Sequence, residues 1–180
     1  SFIGQRSMGA LEFEPSNKIS QDNDFSLDDL YHKAQEILQK REDTVVAGKD
    51  ISLESLYEVG TSAGGQHTKA IIARNNRTGE IRSGQILLPS EYTYYILKFA
   101  EKDYYPLTII EMVYSEMAKL AGITMMPSEL IKIDGDYHFL TERYDRKDGK
   151  KIHTQTLAAM NPEASSYEDL MDVCDELNLP

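Results

Sequence analysis

The feature that most constrains the fold is a pair of strand-forming segments separated by a tight turn. Residues 129–134 (ELIKID) and 137–144 (YHFLTERY) are rich in residues that favour strands, and Asp134-Gly135-Asp136 joins them. Asp-Gly between two such runs is a strong hairpin signal, because the central turn residues need a positive φ. This part of the chain is therefore predicted to form two antiparallel strands.

The remaining segments mix helices with strands. Ser26 and Ser166 can each cap a helix, with Asp29 and Asp169 completing a capping box. Strands are expected at 69–74, around 80–82 and at 94–99, and helices at 27–42, 52–59, 107–120, 154–160 and after Ser166. The order predicts an α+β fold with a mostly antiparallel sheet and flanking helices.

The last predicted helix is strongly acidic on one side. Residues 163–180 contain six acidic residues and no Lys or Arg. An apolar stripe runs along the same segment: Leu170, Met171, Val173, Cys174 and Leu177. We interpret it as an acidic, solvated face over a stripe that faces the core.

Composition excludes several kinds of protein. The 30 acidic residues outnumber the 19 basic ones, for a formal net charge of −11, which argues against a broad nucleic-acid or anionic-membrane surface. No apolar run approaches the length of a membrane span, and the first residues lack a signal-peptide core. The single cysteine and the four scattered histidines predict no disulfide and no metal site. We expect a cytoplasmic protein.

A loop of small residues precedes the first predicted strand. It runs from Gly60 to Lys69 and includes, in order, Thr61, Ser62, Ala63, Gly64 and Gly65. Backbone amides at the two glycines can curl around phosphate oxygens, and the hydroxyls and Lys69 add donors. A Gly-Gly loop of this kind is, however, more often a plain turn.

Two charged residues lie in apolar surroundings. Alternation along the strand places Lys98 and Ile96 on one face, so Lys98 either reaches an edge or points into a cleft. Glu111, in the following helix, either faces solvent or pairs with a cation. A strand lysine followed by a helix glutamate is typical of the small lobe of a kinase, where Lys holds phosphates and Glu holds Lys.

The strand 139–146 runs into the charged turn 147–151. A strand that leaves a small sheet in this way is where the hinge of a kinase lies, and its backbone there meets adenine. A surface strand with mixed charges fits the pattern as well.

Six segments, in order, resemble the HipA family of bacterial serine/threonine kinases, the toxins of toxin–antitoxin pairs. They span nearly the whole chain: 6–15 (RSMGALEFEP), 60–70 (GTSAGGQHTKA), 96–99 (ILKF), Glu111 with 118–123 (AKLAGI), 140–146 (LTERYDR) and 152–157 (IHTQTL). The loop and hinge motifs are the most specific of these.

The resemblance implies an organisation. Residues 1–25 would be a tether or the remnant of an upstream subdomain, 26–150 a kinase-like small lobe with its hinge, and 151–180 the first helices of a truncated large lobe. No His-x-Asp and no Asp-Phe-Gly-like motif follows residue 150. The catalytic and magnesium-binding loops are therefore expected outside this chain, and the chain alone is expected to be inactive.

The resemblance also implies an ATP site. Lys98 and Glu111 would be the catalytic pair, and Glu142 and Tyr144 would touch adenine. The phosphates would meet Lys98 and the loop donors Thr61, Ser62, Ala63, Gly64, Gly65 and Lys69. Family members are silenced by phosphorylation of a loop serine, which Thr61 or Ser62 matches here.

Two functions are compatible with these observations. The first is an ATP-binding small-lobe fragment of a HipA-like serine/threonine kinase, with an antitoxin partner and an unidentified protein substrate. The second is a non-catalytic interaction module that keeps the kinase-like scaffold to bind an antitoxin or another chain. The Lys98 and Glu111 pair favours the first function, and the missing catalytic motifs favour the second.

Overall fold

Strands dominate the part of the chain that the structure describes. This computed structural model describes residues 9–12, 14, 26–28, 31–32, 68–101 and 106–179. Its elements are β1 (Lys69–Asn75), β2 (Ile81–Ser83), β3 (Tyr92–Lys98), α1 (Leu107–Leu120), β4 (Ser128–Ile133), β5 (Asp136–Glu142), β6 (Arg146–Lys147), β7 (Lys150–Lys151), α2 (Leu157–Met160) and α3 (Tyr167–Glu176).

Five strands form one antiparallel sheet in the order β2-β1-β3-β5-β4. The central strand β3 places Lys98 opposite Lys69 of β1 on one side and opposite Phe139 of β5 on the other. The predicted α+β class with a mostly antiparallel sheet is confirmed.

The predicted hairpin joins β4 to β5. Asp134 and Gly135 have φ angles of 49° and 91°, the left-handed backbone that a two-residue hairpin turn requires. A second hairpin of this kind joins β6 to β7 through Asp148 and Gly149, with φ angles of 50° and 70°. From the sequence, that segment was recognisable only as a charged turn.

One face of the sheet carries the main core. Buried side chains from β1, β3 and β5 meet Tyr31 and Phe99 there: Ala70, Ile72, Tyr95, Leu97 and Leu140. His138 is fully buried on this face, with its ring 5.0 Å from that of Tyr31 and 5.5 Å from that of Phe99. This layer stabilises the sheet from the side opposite Lys98.

The other face is covered at one end by the segment between β2 and β3. Tyr94 accepts the backbone N–H of Leu88 at 2.7 Å and donates to the carbonyl of Ile86 at 3.1 Å. Gly84 lies so close to β1 that a Cβ there would be 2.6 Å from the carbonyl oxygen of Ile72. At the other end, α1 packs against β4 and β5, where Thr108 donates to the carbonyl of Tyr137 at 2.7 Å.

The helices follow their sequence signals in the described residues. The helix expected at 107–120 is confirmed, and Ser166 and Asp169 form the predicted capping box of α3. The core-facing stripe expected along this segment is confirmed at Val173, which is buried, but is wrong at Met171 and Leu177, which are 60% and 53% exposed. Residues 27–28 and 31–32 are helical, whereas the rest of the helices expected at 27–42 and 52–59 lies outside the described residues.

Over the same described ranges, no helix combines the length and the apolar character that crossing a membrane requires.

Candidate functional site

An open cleft of about 1120 Å³ lies on the face of the sheet that carries Lys98. Its walls come from β3, β5, α1 and the segment after β5, and they include Ile96, Glu111, Ser115, Phe139, Thr141, Glu142 and Tyr144. A cavity of this size, largely apolar with a few polar groups, is typical of a small-molecule site.

An ion pair lies where this cleft adjoins a small pocket: Glu111 lines both of them, and Lys98 lines the pocket. The Nζ atom of Lys98 is 2.6 Å from Oε2 of Glu111, and the two side chains are 33% and 35% exposed. Lys98 also lies over the ring of Phe139, 5.9 Å from its centroid. The predicted alternation along β3 and the pairing of the strand lysine with the helix glutamate are therefore confirmed, while the reading in which Glu111 faces solvent alone is wrong.

A second cation neighbours this pair. Lys69 is the cross-strand partner of Lys98. The pKa of Lys69 lies below its ordinary value, because partial burial and the charge of Lys98 disfavour its protonated form, and Glu111 only partly offsets them. Two lysines on adjacent strands therefore lie near Glu111, and lysine ammonium groups attract anionic ligands.

Five predicted phosphate-binding residues lie outside the described residues. They are Thr61, Ser62, Ala63, Gly64 and Gly65. The described chain resumes at Thr68, immediately before β1. Thr68 donates through both its backbone N–H and its hydroxyl to Oε1 of Glu101, at 3.0 and 3.3 Å. This contact fixes the point at which the loop enters the sheet.

The other end of the cleft is formed by residues 142–146, which we call the hinge segment. The N–H of Glu142 donates to the carbonyl of Pro127, and that of Arg143 donates to the carbonyl of Tyr94, both at 2.9 Å. Glu142 and Tyr144 line the cleft, and Tyr144 is 64% exposed. The structure thus places both predicted adenine contacts in the cleft that Glu111 also lines, while Lys98 lines a small pocket beside it.

Sequence reasoning missed a buried charge cluster in the hinge segment. Arg143 donates twice to Asp145, at 2.8 and 2.7 Å, and Arg146 donates to the same carboxylate at 3.0 Å. Burial acts to raise the pKa of Asp145, but the hydrogen bonds and charges of the two arginines outweigh burial and hold that pKa below its ordinary value. The spacing Arg-x-Asp-Arg was the available signal.

A short segment far upstream also reaches this end. Gly9 and Leu11 line the cleft, and the backbone of Gly9 lies beside the Asp145 carboxylate. Lys151 donates to the carbonyl of Leu11 at 3.3 Å and lies 3.5 Å from a carboxylate oxygen of Glu12. No local sequence pattern predicts a contact between groups that are 140 residues apart.

One polar group in the cleft wall has no partner. The hydroxyl of Ser115, one helical turn after Glu111, is buried without a hydrogen bond to any described residue, and the residue is only 3% exposed. The cost of leaving such a group unsatisfied is considerable.

The chain was compared with known proteins. The model of the HipA-like C-terminal domain matches residues 61–180, two thirds of the chain. That range includes Lys98, Glu111 and the hinge segment. No curated protein and no solved structure matches the chain significantly.

Proposed function

Because this chain belongs to the HipA family, we propose that it is the ATP-binding small lobe of a HipA-like serine/threonine protein kinase. The lobe spans residues 26–150, and residues 151–180 begin the large lobe. The observation that carries the proposal is the 2.6 Å ion pair between Lys98 and Glu111. A lysine on the third strand, held by a glutamate on the next helix, is how protein kinases position a nucleotide's phosphates.

The end of the cleft near Lys98 suits the phosphates. Glu111 orients Lys98, and Lys69 lies opposite Lys98 on the adjacent strand. Each lysine is a point charge that attracts phosphate oxygens. The loop donors Thr61 to Gly65, which directly precede this strand, would complete the phosphate site.

The hinge end suits the base. Tyr95 pairs with Glu142, and Tyr95 lies three residues before Lys98 on β3. At about 3.3 Å per residue, the two ends of the cleft are about 10 Å apart along the strand. The apolar side chains of Ile96 and Phe139 line the space between, so a purine can meet the backbone near Glu142 and Tyr144 while its phosphates reach Lys98.

The proposal limits what the described residues do. They hold the nucleotide, orient its phosphates and shield one side of its base. No three His, Cys, Asp or Glu side chains among the described residues are grouped to hold a metal ion, so the proposal assigns no magnesium ligand to them. Phosphoryl transfer needs magnesium and a residue that orients the attacking hydroxyl, so we expect this chain alone to transfer no phosphate.

An NMR titration with ATP tests the proposal. With one wall of the base site and few cations, we expect a dissociation constant of about 1 mM, or about −4 kcal/mol. Lys98→Met should weaken binding about tenfold, because it removes the charge closest to the phosphates. Lys119→Met is the matched control, since Lys119 pairs with Glu116 within the same helix as Glu111 and does not line the cleft.

Two results would contradict the proposal. Unchanged ATP affinity in Lys98→Met would mean that the pair has only a structural role. Chemical-shift changes confined to residues outside the cleft would place the nucleotide elsewhere.

A second candidate function is supported by a different observation. Apolar side chains of α1 and just after it are more than half exposed, and one of them, Tyr114, also lines the cleft. They are Val113, Tyr114, Met117, Leu120 and Ile123. Contiguous exposed apolar residues often mark protein–protein contacts, as an interaction module that binds an antitoxin would need. The absence of any ATP-dependent shift in the titration would favour this function.

A further inference from the structure

We propose that residues 9–12 form a wall at the hinge end of the cleft, held there by Lys151, and that Leu11 packs against the base of a bound purine nucleotide. This inference rests on the proposed ATP site and assigns Leu11 as a contact residue. Lys151 acts through Leu11 and is a positioning residue.

The upstream segment is held at three successive places. The backbone of Gly9 lies beside Asp145, whose carboxylate the two hinge arginines already fix. Lys151 then donates to the carbonyl of Leu11 at 3.3 Å and lies 3.5 Å from Glu12. The Lys151 side chain is only 7% exposed, although its partners Leu11 and Glu12 are exposed, so the lysine side of the contact is packed in place.

The backbone of Gly9 suits this close docking. Its φ angle of 76° is in the left-handed region that glycine adopts without strain. A Cβ at this position would be 3.8 Å from the carbonyl oxygen of Thr154, another residue of the cleft wall. The segment therefore bends against the chain that continues from β7.

Leu11 itself is placed to meet a ligand. It lines the cleft, yet its side chain is 70% exposed. Because its backbone is fixed by Lys151, little further backbone ordering is needed when a ligand covers the side chain. Covering an exposed leucine with an apolar ring is favourable.

Leu11 lies where it would contact the base of the nucleotide rather than its phosphates. Asp145 and Lys151, which hold the segment, both come after β5 in the chain, at the hinge end. The charged pair of Lys98 and Glu111 lies at the opposite end of the cleft. An apolar side chain near the hinge adds affinity for a purine ring and none for a phosphate chain.

Three ligands distinguish contacts with the base from contacts with the phosphates: ATP, adenosine and inorganic tripolyphosphate. Each is titrated into the full chain by NMR. Leu11→Ala should weaken the binding of ATP and of adenosine by the same factor, about fivefold. It should leave the affinity for tripolyphosphate unchanged. Lys151→Met should have the same effect. Leu11→Met, which keeps an apolar side chain, should restore most of the affinity.

Lys150→Met is the matched control for Lys151→Met. Lys150 precedes Lys151 on β7 and is exposed, so its replacement should change none of the three affinities. Leu11→Ala replaces a largely exposed side chain and so tests the contact even if Lys151→Met does not fold. Amide hydrogen exchange at Gly9 should accelerate in Lys151→Met without any ligand present.

The outcomes distinguish this inference from the function on which it rests. Adenosine affinity at the wild-type level in Leu11→Ala overturns the inference and leaves the ATP site intact. An equal loss of tripolyphosphate affinity in Leu11→Ala also overturns the inference, because the substitution would then distort the whole site. Failure of the wild-type chain to bind ATP overturns the proposed function itself.

Discussion

The Nδ1 atom of His138 accepts the backbone N–H of Ala100 at 2.9 Å. Nε2 of the same ring lies 3.2 Å from the carbonyl oxygen of Ile133. Since a carbonyl only accepts, Nε2 carries the proton and the imidazole is neutral. The ring thereby ties the residues after β3 to the hairpin of β4 and β5 from inside the core.

We predict that acid destabilises the fold through His138. Burial lowers its pKa below the ordinary value, and the weaker effects of Ile133 and Asp136 only partly oppose this. The unfolded chain then binds a proton at a higher pH than the folded chain. The free energy of unfolding should therefore fall as pH decreases below about 6.5, by up to about 1.4 kcal/mol per pH unit.

Urea denaturation at pH 7.5, 6.5 and 5.5 measures the slope of the unfolding free energy against pH. His138→Asn, which keeps an acceptor near the position of Nδ1, should flatten it. His153→Asn is the control, because His153 is exposed and should leave the slope as it is. A slope that survives in His138→Asn would assign the acid sensitivity to another group.

We predict that Arg143→Met strongly destabilises the chain. Among the described residues, the substitution leaves Asp145 with Arg146 alone as its charged partner in a buried site. Breaking a buried pair by removing one partner should cost about 3 kcal/mol of unfolding free energy, measurable by urea denaturation. Lys147→Met, at an exposed neighbouring position, should change it by less than about 0.5 kcal/mol. Equal stability of the two variants would show that the cluster contributes little.

We predict that Ser115→Ala stabilises the chain. The change removes a buried hydroxyl that has no partner among the described residues and adds the best helix former, so the gain should be about 1 kcal/mol. Ser128→Ala serves as the comparison, since the Ser128 hydroxyl bonds to Met126 and Thr141 and its loss should destabilise. A loss of stability in Ser115→Ala, seen in the same thermal or urea unfolding experiment, would mean that the hydroxyl is satisfied in solution.

We predict that Gly84→Ala costs about 2 kcal/mol of unfolding free energy, because the new Cβ would press on the β1 backbone at Ile72. Gly79→Ala has open space around it and only a left-handed φ of 76°, so its cost should be about 1 kcal/mol. Chemical denaturation of both variants tests the difference. A larger loss at Gly79 would show that the backbone near Gly84 moves easily.

Local signals predicted most of the fold. The turn at Asp134 and Gly135, the capping box of Ser166 and the 3.6-residue periodicity of α1 each depend on residues close in sequence. The pair of Lys98 and Glu111 was also predictable, because a strand face and the next helix are separated by only a short connection.

Long-range packing explains what sequence reasoning missed. Arg143 and Asp145 resemble surface charges until β3 and the upstream segment cover them. Lys151 resembles a loop lysine, and only the folded chain brings it to Leu11. Ser115 resembles an ordinary polar helix residue, since nothing within one turn of it indicates burial without a partner.

The two-residue turn between β4 and β5 also has a kinetic consequence. These strands can pair within microseconds of collapse, because only the two turn residues separate Ile133 from Asp136 in the chain. Pairing of β3 with β5 joins Lys98 to Phe139 across the whole of α1, so it must first overcome a larger loss of loop entropy. We expect a higher φ-value in refolding kinetics for Leu130→Ala than for Ile96→Val. The two strands that form the floor of the cleft would then be the last of the sheet to meet, so the cleft would be absent from every earlier folding intermediate.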